Sequence, residues 1–254
     1  METQDKRKSI CHIYYHRFFE LDLLRGCAIA IMIFFHILWD LDYFNIITID
    51  NTIYQYNRLF SPIFFLLVGM CLAISVERKT SMKAKINHLL SRGLWILGLG
   101  ILLSILSFVF ISEKPIYFGV LHCIGLSIIC SIPFLKFKSY NMIFASCILL
   151  MGSFVGSLSI ENPTLFHLVL GLHQSNVWSY TIDYFPIFPW FGVVLFGIAL
   201  GNLLYTGCER RVRIPDISKY RPVKLFSWLG QHSLSIYLLH QPVIAGTIAI
   251  FTLL

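Results

Sequence analysis

Four residues near the start of the chain are of types that do proton chemistry, and they recur at helical intervals: Asp22, Arg25, His36 and Asp40. Asp22 and Arg25 are three apart and share a helix face. Arg25 and His36 are eleven apart, which is about three turns plus 20° and an advance of about 16 Å. Asp40 follows His36 by one further turn. The four therefore form one polar stripe along a single helix. An imidazole with an ordinary pKa near 6.5 and a carboxylate one turn away have the composition of a general base with an orienting partner. The plainer reading of Asp22 and Arg25 is a helix-end ion pair, and that of His36 is a core histidine with satisfied nitrogens.

Such a stripe needs an element to carry it, and the surrounding residues are apolar. Of the 254 residues 57% are hydrophobic and only 13% are charged. Soluble domains carry about 25% charged residues, so a chain this poor in charge is expected in a bilayer. Stretches of about 20 apolar residues fall at 22–40, 59–76, 89–111, 117–135, 141–160, 185–205 and 229–253. The expected fold is an all-α polytopic membrane bundle of about seven transmembrane helices. A basic cytoplasmic tail, 1–21, precedes a single membrane domain, 22–254. A shorter apolar stretch, 163–172, suits an interfacial or re-entrant helix. The first span carries Asp22 and Arg25 and lacks a small-residue cleavage site, so it is expected to be retained.

Seventeen of the 20 basic residues fall in 1–21, 77–92, 136–140 and 206–228. They include Lys6, Arg7 and Lys8 in the tail. Basic loops stay in the cytoplasm, so the N-terminus is expected inside and, after an odd number of spans, the C-terminus outside. Arg58 and Lys114 are the exceptions beyond the spans. The net charge of +7 thus marks topology, and no nucleic-acid partner is expected. The segments 41–58 and 160–184, expected outside, are aromatic and slightly acidic, as in a cover over an outward site or in interfacial anchors. Cys11 and Cys208 fall on the cytoplasmic side and the other five cysteines in apolar segments. With no CxxC or Cys/His spacing, neither a disulfide framework nor a metal is expected.

Ionisable groups inside spans are functional suspects, and others follow the first stripe. His122 lies early in the fourth span. Tyr237, His240 and Gln241 share a face of the last, with Ser233 one turn before. Each is otherwise a helix–helix hydrogen-bond partner. Arg92, beside Gly93, reads as a snorkelling anchor or a phosphate ligand. Walker, GxGxxG, GxSxG and HExxH motifs are absent, which argues against ATP-driven transport and metalloprotease chemistry.

Four stretches carry a family resemblance: ELDLLRGCAIA at 20–30, FGVLHCIG at 118–125, DYFPIFPW at 183–190 with the FGVVLFGIALGNLLY after it, and WLGQHSLSIYLLHQP at 228–242. In this order and spacing they resemble the bacterial and archaeal branch of the heparan-alpha-glucosaminide N-acetyltransferase catalytic-domain family. The resemblance implies transmembrane acyl transfer, with acetyl-CoA or another acyl-CoA as cytoplasmic co-substrate, no metal, and an amino sugar or other glycan acceptor outside. The first span is also similar to that of acyltransferases that decorate bacterial surface sugars, in which the positions of His36 and Arg25 are marked. The resemblance departs at the loop after the first span. Lysosomal members carry a proposed active histidine there, whereas 41–58 has none. The proton-transfer role then passes to His36, His122 or another group, and heparan itself is a poor expectation for the acceptor.

The combined expectation is a cell-membrane acyltransferase. Its chemistry would use His36, Asp40, Asp22, Arg25 and His122. Arg25 and Arg92 would hold the donor's phosphates. Tyr237, His240, Gln241, Asp183 and Trp190 would line the acceptor's place. Direct transfer and a route through an acyl-histidine both remain open, as do N- and O-acylation. Glycines 93, 98, 100, 192, 197 and 201 could pack helices within one chain or between two copies. The alternative is a transporter or flippase for a lipid-linked sugar or small polar solute, favoured by breaks at Pro186, Pro189 and Pro242 and opposed by the lack of an inverted repeat.

Overall fold

The computed structural model describes residues 17–206 and 209–253, the side chains of 51–59, 252 and 253 excepted. Lys6, Arg7, Lys8, Cys11, Cys208, the greater part of the basic tail and the side chain of Arg58 lie outside the described residues.

In hydrocarbon every backbone N–H and C=O must find its partner within the chain, and a helix does this locally. The apolar stretches accordingly form α1 (Phe19–Tyr43), α2 (Asn51–Glu77), α3 (Met82–Phe110), α4 (Val120–Cys130), α5 (Asn141–Gly156), α6 (Leu165–Leu170), α7 (Ile187–Leu204), α8 (Arg221–Gln231) and α9 (Ser233–Leu253). A 3₁₀ segment, Ile132–Tyr140, joins α4 to α5, and a two-residue antiparallel ribbon, β1 (Tyr205–Thr206) with β2 (Glu209–Arg210), follows α7. Among the described residues, six segments are long and apolar enough to cross a membrane: Phe19–Tyr43, Phe60–Glu77, Met82–Phe110, Ile132–Gly156, Ile187–Leu204 and Ser233–Phe251. The protein is an all-α, multi-pass membrane protein.

Two expected spans take a different form. Over 117–135 only α4 is α-helical, and its 11 residues reach about 16 Å against a hydrocarbon core of about 30 Å. The backbone before it is extended: Phe118 bridges Tyr184 in parallel, and Phe185 N–H donates to Phe118 O at 3.0 Å. Hydropathy is blind to this, because a buried extended segment is as apolar as a helix. The expected last span, 229–253, begins inside α8; the helix breaks at His232 and α9 starts afresh at Ser233. The stretch 163–172 holds the six-residue α6.

The chain forms two compact units, and the division falls within α2, between Leu67 and Val68. One unit joins α1 and the first part of α2 to α8 and α9, so that the first and last helices of the chain are neighbours. Leu21, Ile29, Phe65 and Leu67 are buried in it. The other unit holds the rest of α2 with α3 to α7. Its core is drawn from Leu72, Leu89, Ile128, Ala145, Val194, Leu195 and Ile198. Leu94, Trp95, Ile101, Val109 and Phe110 stand exposed on α3, as suits a face turned to lipid.

Candidate functional site

The polar stripe of α1 is present, and each of its groups is met from the C-terminal end of the chain. Asp22 Oδ1 and Arg25 Nη2 form an ion pair at 3.2 Å. Arg25 Nη1 donates to Gly230 O at 3.3 Å, and Gln231 Nε2 donates to Asp22 Oδ2 at 3.3 Å. The expected ion pair therefore ties α1 to α8. Two glycines make the approach possible. A Cβ on Gly26 would lie 1.8 Å from Phe226 O, and one on Gly230 would lie 1.8 Å from Asp22 O. Side chains are excluded on both surfaces, and the backbones touch.

Farther along α1, the His36 and His240 rings meet edge to face with centroids 4.7 Å apart. Asp40 is 1% exposed, and its Oδ1 accepts from Gln241 Nε2 at 2.8 Å. Here the expectation changes: the carboxylate is bound to Gln241 on α9, and no hydrogen bond joins it to His36 among the described residues. The facing helix supplies the partners: Gln241 meets Asp40, and the His36 ring packs on His240. His240 Nδ1 lies 2.6 Å from Tyr237 O. A carbonyl only accepts, so Nδ1 carries the proton and the neutral ring presents a lone pair at Nε2. The Tyr237 ring lies beside it, with centroids 5.5 Å apart.

Three buried atoms of this cluster have no hydrogen-bond partner: Asp40 Oδ2, His240 Nε2 and Gln241 Oε1. Each is an acceptor, and each belongs to a residue whose other polar atom is satisfied. Buried polar atoms are nearly always partnered. Three orphan acceptors therefore gather on α1 and the facing α9.

The remaining site residues lie in the other unit. His122 is buried in α4, and its Nδ1 accepts from Gly119 N–H at 3.3 Å, capping the first turn. Asp183 Oδ2 accepts from Val120 N–H at 3.1 Å, so a carboxylate sits on the positive end of that helix. Burial raises the Asp183 carboxyl to about 6, the Val120 N–H acting in the opposite direction. Trp190 stands on α7 against Phe185 with centroids 5.1 Å apart. Arg92 is exposed on α3.

Sequence reasoning placed His36 with Asp40 on one helix and His240 with Gln241 on another; the structure brings the two pairs together. It missed Gln231 as a ligand of Asp22, and the Gly26 and Gly230 contact. The glycine within ELDLLRG and that within WLGQ were the visible signals. Among the described residues no three His, Cys, Asp or Glu side chains gather as a metal-ligand set.

No curated protein and no solved structure matches the chain. The family model for heparan-alpha-glucosaminide N-acetyltransferase, catalytic, matches residues 17–242. That span holds α1, the Asp22–Arg25 tie and the histidine pair, and the chain belongs to this family of transmembrane acetyltransferases.

Proposed function

We propose that the protein moves an acetyl or other acyl group from a cytoplasmic acyl-CoA to a sugar or glycan acceptor on the outer side of the cell membrane, with its N-terminus inside. The observation that carries this reading is the cluster of His36, Asp40, His240 and Gln241 with its three unpartnered acceptor atoms. Polar groups in hydrocarbon are costly and are kept where they do work. A polyhydroxylated or amino-bearing acceptor would supply the missing donors.

In the proposed reaction the acceptor's hydroxyl or amine gives its proton to His36 while its oxygen or nitrogen attacks the thioester carbonyl. The C–S bond then breaks, the acyl group stays on the acceptor, and the CoA thiolate takes up the proton from the imidazole. His240, held in one tautomer by Tyr237 O, would accept a second hydrogen bond through Nε2 and fix the acceptor's orientation. Asp40 Oδ2 and Gln241 Oε1 would do the same for neighbouring hydroxyls. Arg25, shared between Asp22 and Gly230, would hold α1 against α8 and keep the histidine stripe in register. Orientation of this kind supplies several kcal/mol of a barrier, and a general base contributes about 10²–10⁴-fold.

The test is release of free CoA from acetyl-CoA by the purified protein, with and without glucosamine-type acceptors, beside His36→Ala. Acceptor-dependent release that falls by about 10²-fold or more in a normally folded variant is the expected result. Full activity in His36→Ala removes the histidine from the chemistry. A wild type that turns over no acyl donor removes the acyltransferase reading and leaves transport of a polar solute in its place.

A further inference from the structure

The unit that carries the histidine pair also contains a cavity of about 340 Å³, lined by Phe19, Ser218, Lys224, Ser227, Trp228 and Gln231. It opens beside the first turn of α1 and along α8, which carries Arg221 and Lys224. Its lining combines one cation, two hydroxyls, an amide and two aromatic rings, which is a poor match to lipid tails. Ser227 is 9% exposed, and its Oγ has no hydrogen-bond partner. Ser218 is positioned by a turn in which its N–H donates to Asp216 Oδ1 at 3.0 Å. Trp228 rests against His232, with centroids 4.6 Å apart, and still keeps 54% of its surface exposed. A flat ring can stack on what is left open.

We propose that this cavity holds the adenine nucleotide end of the acyl-CoA donor. The inference rests on the acyl-transfer reading above and adds a binding site to it. Lys224 would meet a phosphate as a point charge, and the Ser218 and Ser227 hydroxyls would donate to its oxygens. The adenine ring would stack on Trp228 with Phe19 at its edge, an arrangement that every base tolerates because every base has a π-face. The spacing supports the assignment. Gln231, one of the lining residues, is bonded to Asp22, and Asp22 precedes His36 by fourteen residues of α1, about 21 Å. A donor must therefore bind at one place and react at another a long way off. Acyl-CoA is built in this manner, with a nucleotide at one end, a thioester at the other and an extended pantetheine arm between.

The experiment uses the full chain in nanodiscs. It compares the wild type with Lys224→Gln and Trp228→Leu, both changed at exposed positions of α8. Binding of adenosine 3′,5′-bisphosphate is measured by calorimetry, and KM is measured for acetyl-CoA and for S-acetyl-pantetheine, which lacks the nucleotide. Each variant is expected to weaken bisphosphate binding and raise KM for acetyl-CoA by about tenfold, the loss of one charge-assisted contact, with a much smaller change for S-acetyl-pantetheine. Equal shifts for both donors, or none, overturn the proposal while acyl transfer stands. Bisphosphate binding that depends on Lys224 in a protein without acyl transfer supports the cavity and removes the reaction. Protection of the cavity by phosphatidylglycerol in the nanodisc, without any response to the bisphosphate, makes it a lipid-headgroup site and overturns the assignment.

Discussion

Gln241→Leu is the perturbation that most directly probes the cluster on α1 and α9. Asp40 is 1% exposed and has one hydrogen bond, from Gln241 Nε2 at 2.8 Å. The leucine variant leaves both carboxylate oxygens unpartnered. Interhelical hydrogen bonds in membrane proteins average about 0.6 kcal/mol, whereas those to buried charged groups reach about 1.5–3 kcal/mol. The short distance and full burial place this one near the upper figure, so Gln241→Leu is expected to cost about 2 kcal/mol. Asp40→Leu alone leaves the Gln241 amide without a partner and is expected to cost about 1–2 kcal/mol. The double variant removes both polar groups together and should recover about 1.5 kcal/mol or more of the summed loss. Unfolding of the purified protein in mixed micelles reads the stabilities, and acceptor-dependent CoA release reads the function. At that recovery the double variant should remain about 1.5–2.5 kcal/mol below wild type, and its turnover should stay reduced because Asp40 Oδ2 is missing. Additive losses would show that the pair is not energetically coupled and would refute the reasoning.

The remaining predictions concern the other contacts. Gly26→Ala forces a methyl to 1.8 Å from Phe226 O, which backbone shifts relieve at about 1–3 kcal/mol or more, whereas Gly98→Ala meets nothing within 4 Å and should be neutral or stabilising by up to about 1 kcal/mol; thermal unfolding in detergent separates the two. The Asp183 carboxyl, raised to about 6 by burial, takes up protons more readily folded than unfolded. Its contribution therefore falls as pH rises from about 4 to about 6, by at most about 3 kcal/mol. Asp183→Asn keeps an oxygen for Val120 N–H and should lose that pH dependence, as unfolding curves across the same window will show. Trp228→Leu combined with His36→Ala should be no less stable than His36→Ala alone, since Trp228 is 54% exposed; a loss above about 1 kcal/mol would give the indole a structural duty.

What the sequence revealed and what it concealed follow from range. The α1 stripe was legible because helical periodicity is local: Asp22, Arg25, His36 and Asp40 need only 3.6 residues per turn to line up. The shared face of Tyr237, His240 and Gln241 was legible for the same reason. That Asp40 bonds Gln241 and not His36 depends on a pairing across 201 residues, and no period encodes it. Asp183 looked like a substrate group and serves as a cap for a helix 63 residues earlier. The fourth span was misread in length because hydropathy reports burial and is indifferent to whether Phe118 is helical or, as found, bridged to Tyr184. The Ser227 hydroxyl had no sequence signature at all; only its burial without a partner drew attention to it.

The discontinuous unit has a consequence in time. Asp22 and Asp40 are translated 209 and 201 residues before Gln231 and Gln241, which bond them. At about 5–20 residues per second a ribosome needs roughly 10–40 s to close that gap. Over that interval Asp22 already has Arg25 one turn away, whereas the Asp40 carboxylate awaits a partner not yet translated. A chain stalled before α8 lacks the groups that meet the α1 stripe, and this unit is completed by α8 and α9.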